Sequence, residues 1–302
     1  MRLTLNQYNQ SSNFVATIGN YDGVHLGHQQ LLARLKQLSQ ELKLPSKVIV
    51  FEPQPGEFFT GNKTLRLASL REKVNMFASF GINCVEVLRF NHHLASMMAP
   101  EFIKNILINK LKIKYLITGD DFCFGHNRLG DAALLGQYST ELTIEQMPSF
   151  RLHGVRISSS LIRSALSTGN FILVNSFLGR AYQVCGRVAH GKNIGSSLGF
   201  PTANIDLGFR YLPLSGVYVV KVHDIENYSL LGVANIGFCP TFSDKHKKLE
   251  VHILNFNQQI YGKRIKVEFC HKIRDEQKFT SVAELKLQIA KDVVAVSKLS
   301  LK

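Results

Sequence analysis

His25 and His28 flank Gly27 in the stretch YDGVHLGHQQLLARL, residues 21–35, just ahead of a strongly amphipathic run. Two imidazoles three residues apart can ligate a metal, hold a nucleotide phosphate, or simply occupy the mouth of a helix. A zinc pair needs the i, i+4 spacing of H-E-x-x-H or a nearby third ligand, and neither is present. A phosphate site fits better. The strand-like run FVATIG (14–19) enters a glycine-rich turn, Gly19, Gly23 and Gly27, that opens onto a helix start. Gly27 lets the backbone approach an anion, the helix end favours negative charge, and both imidazoles can donate hydrogen bonds. The turn matches neither a G-x-G-x-x-G fingerprint nor a P-loop.

Three other stretches carry residue types suited to phosphate chemistry. In RISSSLIR (156–163), Ser158, Ser159 and Ser160 precede an expected helix, and Arg163 adds a fixed charge suited to a triphosphate. The same stretch also reads as a helix cap with an outward arginine. In GKNIGSSLGFPTANIDL (191–207), glycines 191, 195 and 199 make a backbone able to wrap phosphates. The PTAN that follows places a hydroxyl and an amide, Thr202 and Asn204, where hard Mg²⁺ finds oxygen ligands. Equally, this stretch reads as a loop leading into a strand. Glu250, ahead of alternating Val251 and Ile253, reads on pattern alone as a solvent-facing strand charge.

The elements positioning these groups divide into two patterns. Strand-like KVIVFEP (47–53), CVEVLRF (84–90) and KYLITGDDF (114–122) alternate with helical patterns at 31–42, 69–80 and 100–111. Such alternation predicts a parallel sheet with helical crossovers, whose ligands sit at the carboxyl ends of the strands. From about residue 183 only strands recur, GVYVVKV, LGVANIG, LEVHILNF and RIKVEFCHKI, predicting an antiparallel sheet or small barrel. A final helix opens at Ser281 and Glu284 with capping-box spacing and turns Leu285, Ile289 and Val293 inward. The patterning changes between residues 170 and 183, and there is no internal repeat.

The 302 residues are 45% hydrophobic and 19% charged, the composition of a globular chain with a real core. The start, MRLTLNQYNQSSNF, reads as neither signal peptide nor anchor, and no apolar run suffices to cross a bilayer. Five scattered cysteines without a C-x-x-C pair imply reduced thiols and a cytoplasmic setting. The formal charge of +14 suits small anionic substrates or a general basic bias better than nucleic acid, because the lysines are dispersed. His92, His93 and His223 are expected to be structural or on the surface.

H-x-G-H after a first strand resembles the signature of the nucleotidylyltransferase superfamily, and ISSSLIR resembles its second motif. Class I aminoacyl-tRNA synthetases share the first, but their K-M-S-K-S-like loop is missing. GFPTANI, GVYVV, LEVHILNF, YGKRIKVEF and IRDEQKF resemble a riboflavin kinase module. In this order and over essentially the whole length, the motifs resemble the bacterial bifunctional riboflavin kinase/FMN adenylyltransferase (FAD synthetase) family. The resemblance implies an α/β, Rossmann-like nucleotidylyltransferase domain over 1–175. It also implies a mainly antiparallel β-barrel riboflavin kinase domain with a terminal helix over 183–302.

The resemblance implies ATP and Mg²⁺, and riboflavin, FMN and FAD as substrates and products. His25 and His28 would steady the α-phosphate. Gly19, Asn20, Gly27, Ser158, Ser159, Ser160 and Arg163 would bind ATP in the first domain, with Asp121 and Phe122 on the flavin side. In the second domain Gly191, Lys192 and Gly199 would cover ATP, and Thr202 and Asn204 would hold Mg²⁺. Glu250 would be the general base toward the riboflavin 5′-hydroxyl, and Arg274 would lie at the flavin and nucleotide pocket. Gln54 and Cys123 depart from the family, which often has a histidine and a basic residue there. No nucleic-acid or membrane partner is expected, and the chain is expected to be a monomer or weak oligomer.

Overall fold

The computed structural model describes residues 2–5, 13–60, 65–191, 194–208, 210–238 and 247–299. Lys192, Cys239 and the start of the basic stretch at 244–246 lie outside them. Packing divides the chain into two units. The first comprises residues 1–64 and 68–159, the second 65–67 and 160–302.

The first unit is built on a six-stranded sheet. In chain order its strands are β1 (Arg2–Thr4), β2 (Phe14–Ile18), β3 (Ser46–Glu52), β4 (Cys84–Arg89), β5 (Ile113–Gly119) and β6 (Thr143–Met147). They lie in the order β1-β4-β3-β2-β5-β6, all parallel except the edge strand β1. Strand order reverses about β2, so the carboxyl ends of β2 and β5 flank the crevice where such sheets receive ligands.

Side chains alternate across this sheet. Phe14, Ala16 and Ile18 enter one apolar cluster with Phe102, Ile103 and Leu107. Val15 enters the other, with Leu32, Leu35 and Leu38 of α1 (Leu26–Glu41). Burial on both faces is why these strands read as continuous apolar runs rather than alternating ones. Further helices are α2 (Pro55–Thr60) and α3 (Leu70–Ser79), the latter opened by a reciprocal capping box between Ser69 and Glu72. The expected helix over 100–111 is present, with π-type hydrogen bonding over Phe102–Lys110. A short hairpin, β7 (Arg151–Leu152) and β8 (Val155–Arg156), turns through His153 and Gly154, both at positive φ.

The second unit holds a closed antiparallel barrel. Its strands are β9 (Gln183–Ala189), β10 (Ala203–Asp206), β11 (Gly216–His223), β12 (Leu230–Phe238), β13 (Lys247–Ile253) and β14 (Arg264–Arg274), closed in the order β10-β13-β12-β11-β14-β9. Tyr218, Ala234 and Val251 sit opposite one another on β11, β12 and β13 and are fully buried in the barrel interior. Their neighbours Val217, Val219 and Val233 face outward and pack with Val296 of the terminal helix, Val282–Leu299. Ser281 caps that helix by accepting the Glu284 amide, as its sequence spacing predicts. At one end of the barrel, Phe171 stacks on Phe269, which also meets the Tyr218 ring edge-on.

Two candidate active sites

The turn after β2 is held from several directions. Tyr21, Gly23 and Val24 take positive φ values of 50°, 81° and 42°. For a tyrosine and a β-branched valine this is strained backbone, tolerated only where the surroundings over-determine it. Tyr21 is fully buried, with its hydroxyl 2.6 Å from Thr17 Oγ1. Burial pushes that phenol far above its ordinary pKa, so it stays protonated. Gln29 Nε2 donates to the Val24 carbonyl (2.9 Å), Ser159 Oγ to the Asp22 carbonyl (2.9 Å), and the Ala68 amide to Asp22 Oδ1 (3.1 Å).

His25 is the N-cap of α1, and its Nδ1 accepts the His28 amide at 3.4 Å. That bond leaves the His25 ring proton on Nε2. The two imidazoles stack with centroids 3.7 Å apart. Burial, then the neighbouring His25 and Lys73, holds His28 well below the usual histidine pKa, so its ring is neutral at pH 7. Gly27 has a packing role here: a Cβ on it would lie 3.3 Å from both the His25 ring and Phe150.

A cavity of about 1200 Å³ opens at the carboxyl ends of β2 and β5. It brings together Gly19, Asn20, Gly27, His25, His28, Asp121, Phe122, Ser158 and Ser159. Its lining ends at Ser159. Ser160 and Arg163 fall in the second unit, where Arg163 Nε donates to the Leu65 carbonyl at 2.6 Å. Asp121 is paired with Arg156, and Phe122 stacks on Phe124. Asp120 accepts both the hydroxyl and the amide of Ser149, which hold its carboxyl below the ordinary range.

Sequence reasoning missed Arg156; His92, exposed and edge-on to Phe58 as expected of a structural or surface residue, also lines this cavity. The one signal for Arg156 was its place two residues before the serines. Cys123 is exposed on the cavity wall. Gln54 is buried outside the lining, with its Nε2 unpartnered among the described residues.

The second site lies on the outer wall of the barrel. Register places Asn204, Glu250, Asn235, Val217 and Arg274 in one transverse row across β10, β13, β12, β11 and β14. Directly opposed residues on adjacent strands bring their Cβ atoms to about 5 Å, so Asn204, Glu250 and Asn235 present their polar groups side by side. With Gly195 and Thr202 they line a cavity of about 350 Å³, completed by Leu285, Ile289 and Asp292 of the terminal helix. Glu250 is thus half-buried in a pocket rather than on an open strand face. Arg274 lines the pocket too, but its guanidinium forms a bidentate pair with buried Asp292, at 3.0 and 2.8 Å. His252 Nδ1 donates to the Pro201 carbonyl at 2.8 Å and ties β13 to the start of PTAN. Gly199, outside the pocket lining, turns at φ +89°. Asn235, His252 and Asp292 carried no sequence signal, since each sits in an ordinary strand or helix pattern.

Two glycines make room for the oxygen donors. A Cβ on Gly191 would overlap the Asn204 amide, and one on Gly195 would lie 3.2 Å from Thr202 Oγ1. Gly191→Ala should therefore displace Asn204 and lower turnover at this site roughly tenfold, the scale of an overpacking strain of about 1–3 kcal/mol. Steady-state assay of each half-reaction checks this, and the first cavity's reaction should be unchanged. Among the described residues no group of three or more His, Cys, Asp or Glu could hold a metal alone. A hydroxyl, an amide oxygen and one carboxylate fit Mg²⁺ that arrives with phosphates and keeps its waters.

Each cavity falls within a recognised family. The FAD synthetase family model matches residues 7–161, and the riboflavin kinase family model matches residues 178–300. The chain belongs to the bifunctional riboflavin kinase/FMN adenylyltransferase family. A family member from Haemophilus influenzae is 46% identical over 280 residues, covering 92% of this chain and 91% of its own. One from Buchnera aphidicola of Acyrthosiphon pisum is 42% identical over 293 residues, covering 95% and 94%. The Pseudomonas fluorescens member is 44% identical over 289 residues, covering 95% and 93%. A crystal structure described as a macrolide-efflux protein from Streptococcus pneumoniae shares the fold, with TM-score 0.79, 30% identity and 97% coverage of both chains. In this family member no described helix is long and apolar enough to cross a membrane.

Proposed function

We propose that this chain makes both flavin cofactors in two steps. Riboflavin and ATP give FMN and ADP at the barrel site, and FMN and ATP give FAD and pyrophosphate at the sheet site. The observation that carries this reading is that each family match contains its own cavity, the first lined by His25, His28, Ser158 and Ser159 and the second by Thr202, Asn204 and Glu250. The sequence limits of the two modules, 1–175 and 183–302, are retained for it.

At the barrel site, Glu250 takes the proton from the riboflavin 5′-hydroxyl as that oxygen attacks the γ-phosphorus and ADP leaves. Asn204 and Thr202 hold the phosphates in place, with Gly191, Lys192 and Gly199 as the loop over ATP. Mg²⁺, held by Thr202 and Asn204 together with the phosphates, supplies charge neutralisation when bound. Arg274 acts at the rim, where its pairing with Asp292 fixes the terminal helix over the pocket.

At the sheet site no protein nucleophile is required. An FMN phosphate oxygen attacks the α-phosphorus of ATP in line, and pyrophosphate departs. His25 and His28 donate hydrogen bonds to the charge that develops there, and the neutral His28 ring suits that task. Gly19, Asn20 and Gly27 offer the backbone side, while Ser158 and Ser159 hold the triphosphate. Asp121 and Phe122 face the flavin. The excess of basic residues serves these polyanionic substrates, and we assign the chain to the cytoplasm with no nucleic-acid or membrane partner, as a monomer or weak oligomer.

Incubating the purified chain with riboflavin, ATP and Mg²⁺ should yield FMN and then FAD by chromatography. Appearance of neither product would refute the reading. Appearance of FMN alone would confine it to the barrel.

A further inference from the structure

Lys73 is completely buried, yet it sits in the first turn of α3, directly after the Ser69–Glu72 capping box. Two costs meet there. Burial penalises an ammonium, and the positive end of the helix dipole disfavours a cation. A lysine held against both is placed by something beyond helix packing.

Its Nζ donates to the Asn20 carbonyl at 3.0 Å. Asn20 begins the strained turn that delivers His25 and His28, and it lines the adenylylation cavity. Lys73 thus joins Gln29 and Ser159, which hold the Val24 and Asp22 carbonyls, as the third side chain anchoring this turn. With the Asn20, Tyr21, Asp22 and Val24 carbonyls engaged, the turn is held in one conformation beneath the two histidines. We propose that Lys73 is a positioning residue for adenylyl transfer, fixing the turn through the Asn20 carbonyl and placing its ammonium near His28.

The groups facing His28 support this. His25 stacks on it from the N-cap of α1, Tyr21 lies 4.9 Å away from the turn, and buried Asp22 belongs to the same turn. The His28 Nδ1 is buried and has no hydrogen-bond partner among the described residues. Burial first, then His25 and then Lys73, raise the energy of an imidazolium at that position and keep His28 in the neutral form. The ring then donates a single hydrogen bond without titrating across physiological pH. The inference rests on the adenylylation reading of this cavity.

The test uses the full chain as Lys73→Met and Lys73→Gln, with the barrel's riboflavin phosphorylation in the same samples as an internal folding control. In Lys73→Met, kcat for FAD formation from FMN should fall by roughly tenfold or more, the scale for losing a buried charge-assisted hydrogen bond. Lys73→Gln keeps a donor without the charge and should lose less. NMR titration of the His28 ring, assigned with His28→Gln, should show it below the ordinary histidine value in the wild type and moving upward in both variants. Unchanged FAD formation with an unmoved His28 titration would overturn the proposal. A reduced rate with an unmoved titration would also overturn it, since that is a structural lysine only. Should the variants not fold, a wild-type His28 titrating at or above the ordinary value overturns it as well. If His28→Gln itself leaves FAD formation intact, the adenylylation assignment of the histidines fails instead, and the two failures are thereby told apart.

Discussion

Glu250→Gln should lower riboflavin phosphorylation by roughly 10²–10⁴-fold, the usual contribution of a positioned general base. The glutamine keeps the volume and one acceptor oxygen of the original side chain but cannot take the proton from the 5′-hydroxyl. It sits mid-row between Asn204 and Asn235, so both neighbours can still hydrogen-bond it and the pocket should keep its shape. ATP binding should therefore change little, and the loss should appear in kcat. Conversion of supplied FMN to FAD should proceed at the wild-type rate, because Glu250 and the sheet cavity have no residue in common. Chromatographic assay of each half-reaction checks both statements. A variant that phosphorylates riboflavin normally would return Glu250 to the role of a simple strand charge.

His28→Ala should do the reverse. FAD formation should fall roughly 10²–10³-fold, the range seen on deleting one preorganised donor to developing charge, while riboflavin phosphorylation continues and FMN accumulates. The pH behaviour has a definite sign. His28 is depressed below its ordinary value of 6.5 chiefly by burial, so between pH 8 and 6 its ring stays neutral and should impose no acid limb on FAD formation. The same depression bears on stability. The neutral buried ring contributes fully above the unfolded pKa, and that contribution is lost as pH falls through the depressed folded value. An acid limb centred on an ordinary histidine pKa in wild type, absent from the alanine variant, would contradict this role.

Much of the architecture was legible in the residue pattern. Alternating strands and helices up to about 170 implied a parallel sheet, and the uninterrupted strands after 183 implied a barrel. Both are present, as is the terminal helix with its Ser281 cap. The edge strand β1 and strand β6 were not anticipated. Each is short and partly polar, and gains its identity from a neighbour rather than from its own periodicity. Packing also divides the chain at 159/160, whereas residue patterning shifts at 170–183. A helix carries no local mark of which core it joins.

The candidate sites show the same boundary between local and distant information. The sequence alone determined which residue types could handle phosphate, because H-x-G-H, ISSSLIR and PTAN are local patterns with local geometry. Only the tertiary structure decided their company. Strand register, set by pairings up to 57 residues apart in the row from Val217 to Arg274, placed Asn204, Glu250 and Asn235 abreast. Burial at 0% exposure brought Lys73, an unremarked helical lysine in the sequence, onto the Asn20 carbonyl of the turn that carries the histidines. Pairing committed Arg156 to Asp121 and Arg274 to Asp292. Chain chemistry is written residue by residue, but dielectric surroundings and partners belong to the packed fold, and those are what set a side chain's charge and direction.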